Sequence, residues 1–252
     1  MGFKVTNRFC GTLISRLWVV VVSQYSTIPT FQYSCLSAVV RRLTPGVESV
    51  MFQPQWVTEV ADGRSALGMI RRDFILEPYP GNGIPPPVQI TGSIVRCSNR
   101  LSISYRLRGT LHEILIPARD EIPGRRSRLW EETCFELFLA PENSEQYWEF
   151  NLSPAGHWNA FRFSSYRQSM QEETAFSFLP FSIQQIRDTL LLHMELDAEK
   201  ILKTCNMEAG ISAIIKTREG EVTFWSLAHN AVRPDFHARD CFIIHLPMER
   251  NR

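Results

Sequence analysis

The chain has 252 residues, of which 27 are Lys or Arg and 26 are Asp or Glu, giving a formal net charge of +1. This balance excludes a surface built mainly to bind nucleic acid, because such a surface carries an excess of basic side chains. The hydrophobic fraction of 44% excludes disorder along the whole chain, since enough apolar surface exists to form a core.

Residues 1–68 differ in composition from the rest of the chain. The first 50 residues contain five basic side chains and one acidic side chain. The apolar run at residues 17–22 is far shorter than the roughly 20 residues that a membrane-spanning helix needs. We therefore expect no membrane span, a poorly ordered or spurious extension over residues 1–68, and one domain over residues 69–252.

The six cysteines are widely scattered and include no CxxC pair, which is typical of reduced thiols and fits a cytoplasmic protein. The alternative is that residues 1–25 act as a signal peptide, which would imply secretion.

Most of residues 69–252 has the pattern of antiparallel strands. From Phe74 onward apolar residues recur with a period of two, and turn residues follow at short spacing. Residues 88–97 and 101–108 flank a short turn and predict a hairpin with one buried face. Further strands are predicted at residues 113–116, 133–139, 146–153, 157–164, 189–196, 210–216, 222–228 and 241–246.

One short helix is predicted near residues 198–204, with Asp197 as its N-cap. The many short strands and the single short helix predict an all-β protein. We expect two packed antiparallel sheets, that is, a β-sandwich.

Two neighbouring predicted strands each have one apolar face and one mixed face. The period of two places Glu136 and Phe138 on the mixed face of the first strand, and Tyr147, Glu149 and Asn151 on that of the second. Carboxylates and amides hydrogen-bond sugar hydroxyls, while aromatic rings pack against the C–H side of a sugar ring. The mixed face is a candidate site for a small polar ligand such as a carbohydrate. The alternative is an ordinary solvent-facing side of a sheet.

Other chemistry has weaker support in the sequence. Glu131, Glu132 and Glu136 would serve a glycoside hydrolase only at a set separation, which the sequence does not supply, so no catalytic residue is assigned. The two histidines and the aspartate of residues 229–237 are an alternative metal site, but such loops more often satisfy their own backbone, and no metal ligand is assigned.

A basic loop precedes Trp130. A solvated loop explains it, and attraction of an anionic sugar is the alternative. Its basic residues are Arg119, Arg125, Arg126 and Arg128.

Four blocks of the sequence resemble DOMON-like proteins related to family nine carbohydrate-binding modules. The resemblance covers about residues 74–246, and residues 1 to about 68 have no counterpart. It implies a jelly-roll-like β-sandwich that binds sugars in some relatives and haem in others, usually as a module without catalysis. The blocks are residues 129–136, 147–159, 163–170 and 228–237.

The resemblance also implies which residues bind the ligand. In the sugar-binding relatives a tryptophan precedes a glutamate-bearing strand and stacks on the ligand, and Trp130 with Glu136 matches that place. A second aromatic side chain from late in the chain completes the clamp, and Trp225 is the available residue. Together with the mixed face, the expected ligand-binding residues are Trp130, Glu136, Glu149, Asn151 and Trp225.

Asn151 and Asn159 flank a turn, so the alternative role for either is to fix loop backbone. No cofactor is assigned, although DOMON relatives hold haem through Met or His and some family nine modules bind calcium. The haem alternative has candidate ligands but no assignable pair. The candidates are His157, His193, His229, His237, Met170 and Met194.

Overall fold

The computed structural model describes the strands Ala38–Arg42 and Glu48–Phe52 and residues 69–81, 83–202 and 205–248. Most of the extension predicted over residues 1–68 lies outside these residues. Within it, the strands β1 (Ala38–Arg42) and β2 (Glu48–Phe52) pair antiparallel. Among the described helices, none has both the length and the apolar character needed to span a bilayer.

Twelve further strands form one curled sheet in which every pair is antiparallel. Their order is β10-β11-β5-β4-β3-β13-β12-β6-β7-β8-β9, and β14 also pairs with β12. The strands are β3 Met69–Pro78, β4 Val88–Cys97, β5 Arg100–Gly109, β6 Cys134–Pro141, β7 Tyr147–Leu152, β8 Trp158–Phe163, β9 Gln171–Glu172, β10 Phe181–Ile186, β11 Thr189–Asp197, β12 Met207–Lys216, β13 Val222–Ser226 and β14 Ile244–Leu246.

Strand β3 joins two layers of this sheet. Its residues 69–76 pair with β4, whereas Glu77 and Pro78 pair with β13. The first layer is therefore β10-β11-β5-β4-β3, and the second runs from β13 to β9. The layers pack around a shared core, in which the Tyr105 ring lies 5.1 Å from the Phe135 ring and the Tyr105 hydroxyl donates to the Glu136 carbonyl oxygen at 2.7 Å. The prediction of an antiparallel β-sandwich is confirmed.

The predicted hairpin is present as β4 and β5, with Cys97 opposite Arg100 and Ser98 in the left-handed region at φ 54°. The predicted helix is a 3₁₀ turn at Ala198–Lys200, and the Asp197 side chain caps it by accepting from the Glu199 amide at 3.2 Å. The cap prediction therefore holds, in a shorter helix.

The hydrophobic pattern of the sequence predicts strand positions less accurately where loops approach the sheet. Residues 113–116 do not form a strand, because the chain turns at the 3₁₀ helix Leu111–Glu113 and then makes only an isolated bridge from Ile114 to Thr217. The last strand begins at residue 244 rather than 241, since Arg239–Cys241 is a 3₁₀ turn.

Candidate functional site

Five buried polar side chains form a continuous row across five neighbouring strands on the outer face of the second layer. Glu136 of β6 lies opposite Ser212 of β12 on one side and Asn151 of β7 on the other. Ser212 in turn lies opposite Ser226 of β13, and Asn151 lies opposite Asn159 of β8. Each residue of this polar row is at most 2% exposed. Burial of polar groups costs free energy unless they are paired, so such a row marks a specific structural or ligand-binding role.

Hydrogen bonds engage one oxygen of each of the two carboxylates at the centre. The Ser212 hydroxyl donates to Glu136 Oε2 at 2.8 Å, and Asn151 Nδ2 donates to Glu149 Oε1 at 2.8 Å. Glu136 Oε1 receives no hydrogen bond from any described residue. Glu149 Oε2 lies 3.9 Å from the Nε2 atom of His237 and receives no hydrogen bond from any described residue. Each carboxyl group therefore keeps one oxygen available to a further donor.

Burial raises the pKa of both carboxyl groups. The pKa of Glu136 rises to about 8, first through burial and then through the neighbouring charge of Glu149, while the Ser212 hydrogen bond and Arg167 act in the opposite direction. The pKa of Glu149 rises to about 7 through burial, opposed by Asn151 and Arg167. Near neutral pH Glu136 is mainly protonated and Glu149 is partly ionised, so together they can both donate and accept hydrogen bonds.

Aromatic side chains surround the polar row. Trp130, in the 3₁₀ helix Leu129–Glu131, is half-buried and meets the Phe161 ring edge-on at 5.8 Å. The ring of Phe224, on β13, lies 6.1 Å from the ring of Phe236. We call the whole set the outer cluster; it comprises Phe138, Ala140, Tyr147, Phe161, Phe163, Ile214, Phe236, Cys241 and Phe242, with Trp130, Val222, Phe224 and Ala238 partly buried against it.

The outer face is closed rather than open to solvent. Glu136 is 2% exposed, Glu149 4% and Asn151 0%. The alternative of a solvent-facing sheet surface is therefore wrong, and an open hollow is not observed either. Residues 229–242, here called the covering segment, lie over this face and contribute four side chains to the outer cluster: Phe236, Ala238, Cys241 and Phe242.

A polar contact holds the covering segment against the loop after β8. Tyr166 donates to Asp235 Oδ2 at 2.5 Å, and Arg167 Nη2 donates to Asp235 Oδ1 at 2.9 Å. Burial raises the pKa of Asp235, but these two hydrogen bonds and the charge of Arg167 outweigh it and leave the pKa below its ordinary value. The contact therefore retains its ion pair at neutral pH.

His237 places the covering segment next to Glu149. Glu149 and Glu136, the two buried carboxyl groups, are together called the acid pair. The Nδ1 atom of His237 lies 2.8 Å from the Tyr147 hydroxyl, and that hydroxyl accepts from the Arg167 amide at 3.1 Å. Burial, together with the charge of Arg167, lowers the pKa of His237 to about 4, so the ring is neutral. With Tyr147 donating to Nδ1, the Nε2 proton faces Glu149.

The structure brings together four of the five predicted site residues: Glu136, Glu149 and Asn151 lie beneath the outer cluster, and Trp130 lies at its edge. Trp225 is not brought to this face. It is 4% exposed within the core between the layers, where its Nε1 donates to Thr223 Oγ1 at 2.9 Å.

Side-chain alternation explains the position of Trp225. On β13 the residues that share the face of the polar row are Ser226 and Phe224, one residue to either side of Trp225. The aromatic residue that β13 supplies to the outer cluster is therefore Phe224. The sequence shows that alternate residues of β13 face opposite sides of the sheet. It does not show which of the two sets of residues faces outward. Ser212 was missed because its pairing with Glu136 joins residues far apart in the chain.

Of the two asparagines that flank the turn after β7, Asn159 has the backbone role. Its Oδ1 accepts from Arg125 Nη1 at 2.6 Å, and its Nδ2 donates to the Arg126 carbonyl oxygen at 3.1 Å. Asn151 instead bonds the acid pair through Glu149. Asn159 thus anchors the basic loop that leads to Trp130.

The alternative metal site at residues 229–237 finds no support in the side-chain directions. His229 Nε2 lies 2.8 Å from the Glu77 carbonyl oxygen, while Asp235 and His237 contact Arg167 and Tyr147. Within residues 69–81, 83–202 and 205–248, no three His, Cys, Asp or Glu side chains group closely enough to hold a metal ion.

Comparisons of sequence identify no relative: no known protein family matches the chain, and no curated protein is significantly similar to it. Comparisons of structure do find similar chains. One is a proposed carbohydrate-binding protein from Bacteroides uniformis, with a TM-score of 0.54 and 14% identity over 69% of this chain and 84% of that one. Another is a family nine carbohydrate-binding module from Caldicellulosiruptor kristjanssonii in complex with cellotriose, with a TM-score of 0.40 and 9% identity over 64% and 74%. The chain thus shares its β-sandwich fold with the Bacteroides protein.

Proposed function

We propose that the outer face of the second layer binds a carbohydrate and that the chain is a non-catalytic binding module. The observation that carries the proposal is the buried polar row with aromatic side chains on both sides. Burial of two acids costs free energy that apolar side chains in the same place would not, which favours a role for them beyond packing. The fold shared with a proposed carbohydrate-binding protein supports this function. The jelly-roll-like connectivity and the DOMON-like relationship belong to the same proposal.

The chemistry of the acid pair suits sugar hydroxyls. Glu136 and Glu149 each keep one carboxyl oxygen that can accept a hydroxyl proton, and the protonated form of Glu136 supplies a donor near neutral pH. Ser212 and Asn151 hold the opposite oxygens in place. Trp130 at the edge offers a half-exposed indole for the C–H side of a sugar ring.

Binding requires the outer cluster to open, because the acid pair is closed to solvent. Trp130 and Phe224 are its partly buried aromatic members, so their side chains can move at the lowest cost in lost packing. Side-chain rearrangement of this kind is common when a ligand binds. We therefore place the entrance between Trp130 and Phe224.

Replacing Trp130 with Ala tests the proposal. Isothermal titration calorimetry would measure binding of cellotetraose, xylotetraose and mannotetraose. We expect at least one to bind, and the substitution to weaken its affinity at least tenfold, because a stacking ring contributes about 1–3 kcal/mol. The melting temperature should fall only slightly, since the indole lies at the edge of the cluster.

The matched control is Phe178→Ala, which removes an aromatic ring that is 61% exposed and lies outside the outer cluster. It should leave affinity unchanged. If the Trp130→Ala variant binds the oligosaccharide with the same affinity as the unmodified chain, Trp130 does not have the proposed stacking role. If none of the oligosaccharides binds the unmodified chain, the proposed function is wrong.

A further inference from the structure

A cleft of about 780 Å³ lies at one end of the sandwich, and it shares no lining residue with the polar row or the outer cluster. It lies where β5 ends, beside the turn between β10 and β11 and the turn between β12 and β13. Its volume falls within the range that small-molecule sites occupy. The cleft is therefore large enough for a second ligand.

Three arginines from three separate segments line the cleft, against a single aspartate. They are Arg119, Arg187 and Arg218, and the aspartate is Asp188. Asp188 Oδ2 lies 3.6 Å from the Nε atom of Arg108, so its charge is already engaged there. The lining thus has an excess of positive charge.

Two of these guanidinium groups have no acidic partner among the residues that the structure describes. Among the described residues, Arg119 and Arg187 make neither an ion pair nor a side-chain hydrogen bond. Arg218 is fixed against the wall, where its Nε donates to the His112 carbonyl oxygen at 2.9 Å. Arginines gathered in a concave surface without carboxylate partners suit a ligand that carries its own anionic group.

Part of the wall is apolar, beside the polar side chains of His112 and Gln185. Leu111, Ile116, Pro117, Ile183 and Leu190 lie beside the arginines. An apolar surface next to guanidinium groups fits a ligand with both a C–H face and an anionic group. A sugar ring that bears a carboxylate or a sulfate has both.

Arg187 occupies a position that favours glycine. It lies in the two-residue turn between β10 and β11 with φ 53°, in the left-handed region. A residue with a Cβ atom there costs on the order of 1 kcal/mol relative to glycine. The turn thus directs an arginine at the cleft in a conformation that another residue would adopt with less strain.

We infer that this cleft binds an acidic saccharide whose anionic group contacts Arg119, Arg187 and Arg218. The choice of a saccharide rests on the proposed function, whereas the requirement for an anion follows from the three arginines. The saccharide ring lies on the apolar wall formed by Leu111 and Ile183. The site is separate from that of the polar row.

The test compares three probes by isothermal titration calorimetry on the full chain: trigalacturonate as the carboxylate probe, a sulfated carrageenan oligosaccharide as the sulfate probe, and galactotriose as the neutral one. At least one acidic probe should bind at least tenfold more tightly than galactotriose at low ionic strength. Added salt should narrow the difference, because it screens charges near the surface. The stronger acidic probe identifies the anionic group.

The variant Arg187→Gly removes the guanidinium and relieves the backbone strain, so it should fold at least as well as the unmodified chain. We expect it to weaken binding of the acidic probe at least fivefold without lowering the melting temperature. The control is Arg100→Gln, which removes one positive charge at the other end of β5, about 30 Å from Gly109 in the cleft wall. It should leave affinity unchanged.

The outcomes separate this inference from the proposed function. If binding of the acidic probe is lost in Trp130→Ala and unchanged in Arg187→Gly, the cleft is not the site and the inference is overturned, while the proposed function stands. If neutral oligosaccharides never bind but trigalacturonate binds in a manner dependent on Arg187, the cleft inference stands and the proposed function of the outer face falls. Equal affinity for all three probes overturns the inference.

Discussion

Glu136 is an acidic residue that the fold buries almost completely. It lies in the middle of a sheet, 2% exposed, between Ser212 and Asn151, with Phe135 and Leu137 of the same strand in the main core. Burial of a carboxyl group costs free energy because the group loses its hydrating water. One hydrogen bond from Ser212 offsets only part of that cost. The folded protein therefore holds Glu136 protonated at pH values where the unfolded chain would ionise it.

This shift predicts that the protein becomes less stable as the pH rises. The pKa of Glu136 is raised from 4.5 to about 8, so the folded state binds more protons than the unfolded state between these values, and the free energy of unfolding falls with pH across that window. Glu136→Gln removes this dependence, because glutamine resembles the protonated acid. Urea unfolding should show similar stabilities at pH 5 and a variant more stable by roughly 1–3 kcal/mol at pH 8.

The control for this comparison is Glu132→Gln, at an exposed position next to the same strand. It should not alter the pH dependence, because its carboxylate stays in water in both states. His237 is present in all three proteins, whereas the charge of Glu149 acts on Glu136, so the difference between Glu136→Gln and the unmodified chain reports on the two glutamates together. Parallel stability curves for Glu136→Gln and the unmodified chain would show that Glu136 is already ionised in the fold.

At the level of strands, the sequence predicts most of the sheet and part of the site. Alternation in β6 and β7 sorted Glu136, Glu149 and Asn151 onto one face, because a strand's own residues fix that alternation. The polar row also depends on β12, whose Ser212 comes into register only through a contact 76 residues away. No local pattern contains that pairing.

The periodicity of the sequence also does not predict the edge strands or the loops that cover a sheet face. Strand β10 (Phe181–Ile186) pairs on one side only and ends in polar, exposed residues, so its alternation is weak. The covering segment at residues 229–242 has no regular strand to mark it, yet it decides that the outer face is buried. Exposure of a sheet face depends on which distant segment lies over it.

The Asp235 contact predicts how firmly the covering segment is held. Asp235→Asn removes the charge that accepts from Tyr166 and Arg167, so the free energy of unfolding should fall by about 1 kcal/mol, a value reduced because Arg167 is half exposed. Hydrogen exchange should quicken at the His237 and Phe242 amides, whose hydrogen bonds lie in this segment. Amides of β12 should keep their protection.

The matched control is Asp73→Asn, which breaks the exposed Arg71–Asp73 ion pair on β3. Because both partners are exposed, stability and exchange should change little. If Asp235→Asn behaves in the same way, the segment is held by the aromatic packing of the outer cluster alone.

The whole molecule has two apolar regions with different roles. The main core lies between the layers and contains residues from both, including Phe74 and Tyr105 of the first layer and Phe135 and Phe150 of the second. The outer cluster lies on the far side of the second layer, includes the covering segment and encloses the acid pair. The proposed ligand site beneath the outer cluster requires this second region to open while the main core stays packed.

Trp225 and Trp130 allow these two regions to be compared directly. Trp225 lies in the main core on β13, opposite Pro78 of β3, where the chain passes from one layer to the other. Trp225→Ala should lower the free energy of unfolding by about 3–5 kcal/mol, because it leaves a large cavity between the layers. Trp130→Ala should cost about 1 kcal/mol, since the half-buried indole at the edge loses fewer contacts.

Urea unfolding at 25 °C, followed by far-UV circular dichroism, would measure both losses. Trp225→Phe serves if the alanine variant does not fold: it keeps an aromatic ring, loses the Thr223 hydrogen bond, and should cost roughly 1–2 kcal/mol without weakening saccharide binding. The opposite result, in which Trp225→Phe weakens saccharide binding and leaves the free energy of unfolding unchanged, would show that Trp225 belongs to the binding site and not to the core. It would also mean that the two layers separate when the ligand enters, since the indole has no other route to it.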